Sequence, residues 1–303
     1  MADNNGEQRV EVAVGSRLLS LSNLDKVMYP VGFTKAQVID YYARIAGAML
    51  PHIAGRAMTL RRWPDGVEGP SFFNKRCPSH RPPWMETAVG PGDHGGEIHY
   101  CRIDEPAALA WTANLAALEL HAPMAKADSI DNPAILVFDL DPGLPAGMAE
   151  SCQVALALRE VLTSVDLQGV AKTSGSKGLQ VYVPLNGHHT HEGASRFALA
   201  VGQLLARRQP DKVLVEMSKA KRGGKVFVDW SQNSRHKTTI AVYSLRANSR
   251  PTVSTPLAWS EVKAGAEGQR LSFEAQQVLE RVEAKGDLFA PVADLVQKLP
   301  TAG

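Results

Sequence analysis

Two aspartates at the end of a hydrophobic segment are the sharpest chemical feature of the sequence. Asp139 and Asp141 close the segment 135–141 (ILVFDLD), and a Pro-Gly pair follows directly. Residues two positions apart in a β-strand point to the same face, so the two carboxylates project together. Neighbouring carboxylates repel each other unless a cation separates them, and oxygen ligands select Mg²⁺ or Mn²⁺. The pattern predicts a divalent-metal site, and the alternative is two solvated aspartates beside a turn.

A third aspartate ends a second hydrophobic segment. Asp229 closes the segment 225–229 (KVFVD). If the two segments form strands that end at one place, three carboxylates would hold two cations about 4 Å apart, the arrangement used for phosphoryl or nucleotidyl transfer. The alternative is an isolated aspartate on an edge strand.

The residues between the two acidic segments are typical of an anion-binding turn. The segment 172–178 (KTSGSKG) combines small residues with the hydroxyl of Ser174 and the ammonium of Lys177. Backbone N–H groups of small residues can approach a phosphate closely. The segment lacks the Walker A pattern, and the alternative is a polar hairpin turn. His121, before the first acidic segment, could donate to a phosphate oxygen, and its alternative is a structural role.

Basic residues are clustered although the formal net charge is only +2. Arg61 ends a predicted strand, Phe72 and Phe73 precede a Lys-Arg pair, and basic runs occupy 219–225 and 235–237. Positive charge holds phosphates and aromatic rings stack on bases, so the combination indicates a nucleic-acid surface. For any single cluster, the alternative is a solvated face.

Length and composition exclude several classes of protein. The 303 residues are 44% hydrophobic and 21% charged, which excludes disordered and fibrous chains. No hydrophobic stretch approaches the ~20 residues of a membrane span, and the polar N-terminus lacks a secretory signal. Cys77, Cys101 and Cys152 show no CxxC spacing, so we expect no disulfide framework and a cytoplasmic location.

Strands alternate with helices along the chain, which predicts an α/β (α+β) protein with mixed sheets. The predicted helices are 34–50, 106–118, 146–165, 193–208, 272–285 and 291–298. The predicted strands are a hairpin over 11–22 and the segments 58–63, 97–101, 134–140, 169–173, 179–185, 213–217, 225–230 and 238–245. The segment 63–96 is rich in Pro and Gly and is predicted to be a long loop. We expect residues 1–10 to be flexible and residues 11–300 to form a single domain.

The chain resembles the polymerase domain of bacterial DNA ligase D, which belongs to the archaeo-eukaryotic primase superfamily. The resemblance extends from about residue 10 to about residue 299, and the order and number of its motifs make it specific. The motifs are LSNLDKVMYP (21–30), FTK (33–35), RRWPDG (61–66), FFNK (72–75), HAP (121–123), FDLDP (138–142), TSGSKG (173–178) and VDWSQN (228–233). It implies a two-lobed primase-polymerase fold with mixed central sheets flanked by helices.

The resemblance also implies a role for each matching residue. Asp139, Asp141 and Asp229 look like the catalytic ligands of two Mn²⁺ or Mg²⁺ ions. The other implied roles are triphosphate contacts (Arg61, His121, Ser174, Lys177, Arg246), stacking on the nucleotide and template base (Phe72, Phe73), a place near the active site (Gln232) and a pocket for a DNA 5′-phosphate (Asn23, Lys26, Lys35). Many relatives have histidine where this chain has Gln180, so we expect His121 to carry the triphosphate contact.

The implied activity is DNA-directed nucleotidyl transfer during non-homologous end joining. It comprises gap filling and 3′-end extension at double-strand breaks, templated and non-templated, with a preference for ribonucleotides. Expected partners are DNA ends with gaps or overhangs and a 5′-phosphate, nucleoside and deoxynucleoside triphosphates, the ligase and phosphoesterase modules of a parent protein, and Ku, in the bacterial nucleoid. Two alternatives stay open: a phosphohydrolase with Asp139 as nucleophile and Asp141 as acid, and a catalytically silent module that bridges DNA ends.

Overall fold

The computed structural model describes residues 9–92, 95–187 and 189–300. Residues 1–8 of the predicted flexible terminus lie outside this part, whereas residues 9–10 already belong to the first strand. The strands are β1 (Arg9–Val14), β2 (Arg17–Ser22), β3 (Val27–Tyr29), β4 (Phe33–Thr34), β5 (Thr59–Arg62), β6 (Phe72–Asn74), β7 (Thr87–Pro91), β8 (Glu97–Cys101), β9 (Ala117–Pro123), β10 (Ile135–Pro142), β11 (Val170–Thr173), β12 (Leu179–Pro184), β13 (Val213–Leu214), β14 (Val226–Asp229), β15 (Thr238–Ile240) and β16 (Pro256–Leu257). The helices are α1 (Lys35–Ile53), α2 (Pro106–Asn114), α3 (Met148–Thr163), α4 (His191–Arg208), α5 (Trp259–Ala266), α6 (Ala275–Lys285) and α7 (Pro291–Asp294).

A six-stranded mixed sheet forms one lobe, in the order β13-β14-β10-β12-β11-β16. The two faces of β10 differ. Leu136, Phe138 and Leu140 are buried in the hydrophobic cluster that includes residues of α3 and α4. Val137, on the other face, belongs to the cluster of the second lobe. The alternation of the strand therefore directs Asp139, two residues after Val137, to the side of the second lobe.

A four-stranded sheet, in the order β15-β9-β5-β6, forms the second lobe with α1 and α2. The predicted helix 34–50 is confirmed: Thr34 caps α1 in a capping box with Gln37, and the helix continues to Ile53. The Tyr42 hydroxyl donates to Leu118 O (2.7 Å), which fastens α1 to β9. The two lobes match the mixed α/β architecture that the sequence predicts.

Several predicted elements differ from the structure. The predicted loop 63–96 contains β6 and β7. The predicted helix 106–118 stops at Asn114 because Ala116 has φ +58°, and β9 then begins at Ala117. The predicted strand 238–245 ends at Ile240, before Tyr243 with φ +64°. Three other elements are corrected: 213–217 is a two-residue strand, 291–298 is a four-residue helix, and α5 was not predicted.

The expectation of unpaired cysteines is wrong for two of the three. Cys77 and Cys101 form a disulfide across a Cα–Cα distance of 4.8 Å, and Cys152 is buried and free. Cys101 lies at the end of β8, and Cys77 N donates to His99 O of the same strand (2.7 Å). The pairing depends on how a distant segment packs beside β8, which sequence spacing does not encode.

Within the described ranges, none of the helices is both long enough and hydrophobic enough to cross a bilayer. The assignment of residues 11–300 to one domain stays a prediction.

Candidate active site

Strand register brings the predicted acidic residues together. Asp139 on β10 lies opposite Asp229 on β14 and opposite Gln180 on β12, and Gln180 lies opposite Lys172 on β11. Directly opposed residues share a face of a sheet, so these four side chains form a row across four neighbouring strands, here called the polar row. Asp141 projects from the same face two residues further along β10.

The carboxylates of Asp139, Asp141 and Asp229, here called the acidic site, repel one another. Burial and the Asp141 and Asp229 carboxylates raise the pKa of Asp139 to about 7. Burial and Asp229 also raise the pKa of Asp141, while the Arg222 guanidinium opposes that shift. Arg222 Nη1 lies 3.9 Å from Asp141 Oδ2, which is a weak ion pair. Oxygen ligands with this uncompensated negative charge fit a hard divalent cation.

Asp229 is oriented by its own turn. Its Oδ1 accepts from Ser231 N (2.9 Å) and Ser231 Oγ (2.6 Å), and its Oδ2 accepts from Gln232 Nε2 (3.2 Å). Lys237 Nζ donates to Ser231 Oγ (2.6 Å) and so helps to hold this turn. Gln232 therefore lies beside Asp229. In the described ranges, no three His, Cys, Asp or Glu side chains already form a metal-ligand group.

A buried carboxylate on β9 lies beside two guanidinium groups and one imidazole, the side chains to which the resemblance assigns triphosphate contacts. Glu119 is 2% exposed. Its carboxylate lies 3.0 Å from His121 Nε2, 2.9 Å from Arg246 Nε and 3.6 Å from Arg61 Nη1. Burial alone would raise the pKa of Glu119, but the His121 hydrogen bond and the Arg246 charge outweigh burial and lower it to about 2. We call these four residues the Glu119 cluster.

Two guanidinium groups of the Glu119 cluster keep unused donors. The Nε–H groups of Arg61 and Arg246 are buried and make no hydrogen bond among the described residues, although Arg246 Nε lies 2.9 Å from Glu119 Oε1. Arg246 Nη1 donates to Ser174 O (3.1 Å) and so connects the cluster to the 174–178 turn. Buried cationic donors without acceptors fit an anionic ligand.

The 174–178 turn packs tightly against the acidic strand. Ser174 Oγ accepts from Gly178 N (3.2 Å), which closes the turn. A Cβ at Gly178 would lie 2.6 Å from Leu140 O, so only glycine permits this approach. Lys177 is exposed at the tip. The turn therefore joins Ser174 and Lys177 to the end of β10 that carries Asp141.

The two predicted stacking residues present exposed rings beside the Glu119 cluster. Phe72 is 46% exposed and Phe73 is 55% exposed, on the edge strand β6. Arg62 lies over the Phe72 ring at 5.2 Å, and Arg61 lies over the Phe73 ring at 5.1 Å. Phe73 also meets the His121 ring edge-on at 5.6 Å. Exposed rings held by cations provide a platform for bases.

Asn23, Lys26 and Lys35 line a separate cavity of about 500 Å³, here called the Lys26 pocket. Lys26 is exposed and pairs with Asp65 (2.8 Å), whereas Lys35 is buried and donates to Ser22 O (2.6 Å). These three residues lie together as predicted. The structure does not place them in the Glu119 cluster or the acidic site.

Another cavity, of about 240 Å³, is lined by five basic side chains and, among the described residues, by no acidic one; we call it the basic cavity. The basic side chains are Lys75, Lys126, Arg235, His236 and Lys237. Lys237 links the cavity to Asp229 through Ser231.

Three residues of the site were not found from the sequence: Glu119, Lys172 and Lys237. For Glu119 a signal exists, because Glu119 and His121 are two residues apart and share a face of β9. Lys172 and Lys237 reach the carboxylates only through other side chains. Their roles depend on packing rather than on spacing.

Comparison with known proteins gives one consistent answer. Residues 34–289 match the family described as the LigD primase-polymerase domain. The chain is 46% identical over 288 residues to the multifunctional non-homologous end joining protein LigD of Mycolicibacterium smegmatis, covering 93% of this chain and 37% of that protein. It is 30% identical over 273 residues to the bifunctional LigD of Bacillus subtilis, covering 89% and 43%. The chain thus spans less than half the length of these relatives.

A solved structure extends the similarity to the fold. The polymerase domain of Mycobacterium tuberculosis ligase D, in complex with DNA, superposes with a TM-score of 0.86 and 41% identity. The match covers 92% of this chain and 99% of that domain.

Proposed function

The chain belongs to the LigD primase-polymerase domain family, and from this premise we propose that it is a nucleotidyltransferase that fills gaps and extends 3′ ends at double-strand breaks. The proposed reaction is attack of a primer 3′-hydroxyl on the α-phosphorus of a nucleoside triphosphate, with release of pyrophosphate. We propose ribonucleotides as the preferred substrates, and both templated and non-templated addition. One observation carries the proposal: an acidic site and a cationic cluster meet at one turn.

Asp139, Asp141 and Asp229 would hold two Mn²⁺ or Mg²⁺ ions. Such ions, when bound, lower the pKa of an attacking hydroxyl and neutralise the charge of a leaving pyrophosphate. The raised pKa values of Asp139 and Asp141 support this assignment, since a cation removes the repulsion that raises them. Among this chain's own groups, Ser231 and Gln232 orient Asp229.

The Glu119 cluster and the 174–178 turn would hold the triphosphate. Arg61 and Arg246 offer buried N–H donors, and His121 lies beside them. Ser174 and Lys177 approach from the turn that packs on β10. Positive groups fixed before the reaction stabilise charge as it develops on the phosphates. Phe72 and Phe73 would stack on the incoming nucleotide and the template base.

DNA would occupy the two other sites. The Lys26 pocket would bind the 5′-phosphate on the far side of a gap, since two ammonium groups and an amide line it. The basic cavity would hold a strand near Asp229, because its lining carries five basic side chains. Full-length relatives are named as multifunctional end-joining proteins. We therefore also propose that this chain belongs to a parent protein with ligase and phosphoesterase modules. We propose that the parent protein acts with Ku in the bacterial nucleoid.

Primer extension on gapped DNA tests the proposal. The reaction contains the chain, Mn²⁺, a labelled ribonucleotide and a gap with a 5′-phosphate, and we expect extension by the length of the gap. Parallel reactions measure phosphate release from a simple phosphomonoester. Phosphate release without extension would instead identify the phosphohydrolase, and DNA binding without either reaction would identify a bridging module.

A further inference from the structure

A lysine without exposed surface ends the polar row. Lys172 is 0% exposed, and its ammonium donates to Gln180 Oε1 (2.5 Å), Ser254 Oγ (2.7 Å) and Ile240 O (3.1 Å). None of these partners carries a charge. A cation that is buried without a carboxylate partner loses its hydration and gains no opposite charge in return. The position of the cation behind the acidic site therefore calls for a functional explanation.

The partners of Lys172 match its charged form. Gln180 Oε1 and Ile240 O are carbonyl oxygens, which only accept hydrogen bonds. The Ser254 hydroxyl donates its hydrogen to Thr173 O (2.9 Å) and so also accepts from Lys172. With Gln180 Oε1 facing it, the Lys172 nitrogen meets three acceptors, and these match the three N–H groups of the ammonium form. Burial lowers the pKa of Lys172 well below its ordinary value.

The Asp139 carboxylate and the Lys172 ammonium together fix the orientation of Gln180. An ammonium only donates, so Gln180 must present Oε1 to it, and the Tyr182 hydroxyl donates to the same oxygen (3.4 Å). The amide Nε2 then points the other way and donates to Asp139 Oδ1 (3.1 Å). A flipped amide would place two donors together at Lys172 and two acceptors together at Asp139. Through this orientation, Lys172 helps to present the Gln180 amide nitrogen, rather than its oxygen, to Asp139.

Lys172 also connects the two lobes. Gln180 belongs to the six-stranded sheet, whereas Ile240 belongs to β15 of the four-stranded sheet. We propose that Lys172 is a positioning residue that holds the Asp139 carboxylate ready for a divalent cation, by fixing Gln180 as a donor to Asp139 Oδ1. This proposal rests on the proposed function, because it assigns Asp139 to the metal site. Groups that orient metal ligands typically change metal affinity by about 10–100-fold when removed.

Direct Mn²⁺ binding, measured by electron paramagnetic resonance of the free ion without nucleotide or DNA, tests the proposal. We expect Lys172→Met to raise the Mn²⁺ dissociation constant on the order of 10–100-fold, and Gln180→Leu to do the same. Lys172→Gln, which keeps an amide donor for Gln180, should restore part of the affinity. The double variant Lys172→Met/Gln180→Leu should bind Mn²⁺ no more weakly than either single variant, because both act on one relay.

Arg56→Met is the matched control. Arg56 is a buried cation whose guanidinium donates to His52 O and Pro123 O (2.9 Å each), with no hydrogen bond to the polar row. This variant should lose stability in thermal unfolding and keep wild-type Mn²⁺ affinity. Lys172→Met should also unfold cooperatively at a lower temperature than the wild type, because it leaves three buried acceptors without a donor.

The outcomes separate the two proposals. Wild-type Mn²⁺ affinity in Lys172→Met, with lost affinity in Asp139→Asn, would overturn the role of Lys172 and keep the metal site. Additive losses in the double variant would also overturn it, because the two residues would then act independently. Wild-type affinity in Asp139→Asn would overturn the metal site itself. If Lys172→Met does not fold, wild-type Mn²⁺ affinity in Gln180→Leu overturns the relay.

Discussion

The acidic site and the Glu119 cluster are opposite solutions to the same problem of burying charge. In the acidic site, three carboxylates face one weakly paired cation, Arg222, and the pKa of Asp139 rises to about 7. In the Glu119 cluster, one carboxylate faces the guanidinium groups of Arg61 and Arg246 and the imidazole of His121, and its pKa falls to about 2. The first arrangement lacks positive charge and the second lacks negative charge.

The difference between the two regions fits the proposed binding of a metal-nucleotide complex. A divalent cation would balance the acidic site, and the phosphates that accompany it would balance the Glu119 cluster. The 174–178 turn joins the two regions, since Arg246 donates to Ser174 O and Gly178 packs on Leu140. Each region is unbalanced alone, so variants of each should fail in different ways.

The largest expected effect comes from the acidic site. Asp139→Ala, and separately Asp229→Ala, should lower nucleotide incorporation by at least about 10³-fold, because two-metal catalysis needs both ligands. DNA binding measured by gel shift without metal should persist, because the removed group is an anion. Normal primer extension by either variant would show that the acidic site does not carry the reaction.

The next effect concerns stability in acid and tests the Glu119 cluster. The pKa of Glu119 is about 2 in the folded protein, below its ordinary value of 4.5. A lowered folded pKa stabilises above the unfolded pKa, so this contribution is present at neutral pH and is lost as pH falls from about 5 to 2. It amounts to about 3 kcal/mol at most. Urea unfolding between pH 7 and 3 should show a smaller loss with falling pH in Glu119→Gln than in the wild type.

Glu261→Gln is the control for that experiment. Burial alone would raise the pKa of Glu261, but hydrogen bonds from Arg281 and Lys285 lower it to about 2, away from the Glu119 cluster. Both variants should flatten the dependence of stability on pH. Only Glu119→Gln should also raise the KM for the nucleoside triphosphate, and an equal rise in both variants would contradict the assignment of the cluster.

How much of this the sequence reveals depends on whether the information is local. Strand alternation predicts that Asp139 and Asp141 share a face, and the Thr34 cap and the helical periodicity predict α1; both agree with the structure. Local sequence patterns do not predict the register that sets Asp229 opposite Asp139, because this register depends on pairing between strands far apart in the chain. The resemblance to a known family, through the order of its motifs, predicts that Asp139, Asp141 and Asp229 belong to one site.

The sequence patterns do not predict a role for Glu119 for a related reason. The predicted helix 106–118 ends just before it, so the patterns do not place Glu119 and His121 on one face of a strand. The turn at Ala116, where φ is +58°, ends the helix early, and hydrophobic periodicity does not report such a turn. Sequence spacing also does not predict the Cys77–Cys101 disulfide, because it depends on how the irregular segment around Cys77 packs beside β8.

A smaller effect should follow from loss of one cation in the Glu119 cluster. Arg246→Ala should raise the KM for the nucleoside triphosphate roughly 10–100-fold, because a charge-assisted contact to phosphate is lost. Arg250→Ala is the matched control, since Arg250 is exposed and pairs with Glu274. Steady-state incorporation with saturating DNA measures both variants, and an unchanged KM in Arg246→Ala would remove the residue from the triphosphate site.

The smallest effect should come from the Lys26 pocket, where Lys26 itself is exposed. Its ion pair with the exposed Asp65 contributes little, so we expect Lys26 to act on an anion as a mobile point charge. Lys26→Ala should weaken binding to a gap with a 5′-phosphate by about tenfold, and binding to the same gap with a 5′-hydroxyl should change little. Lys212→Ala, which removes an exposed lysine outside the pocket, controls for loss of charge alone. Fluorescence anisotropy on the two gaps gives the comparison, and equal losses on both would mean that Lys26 contacts the DNA backbone rather than the terminal phosphate.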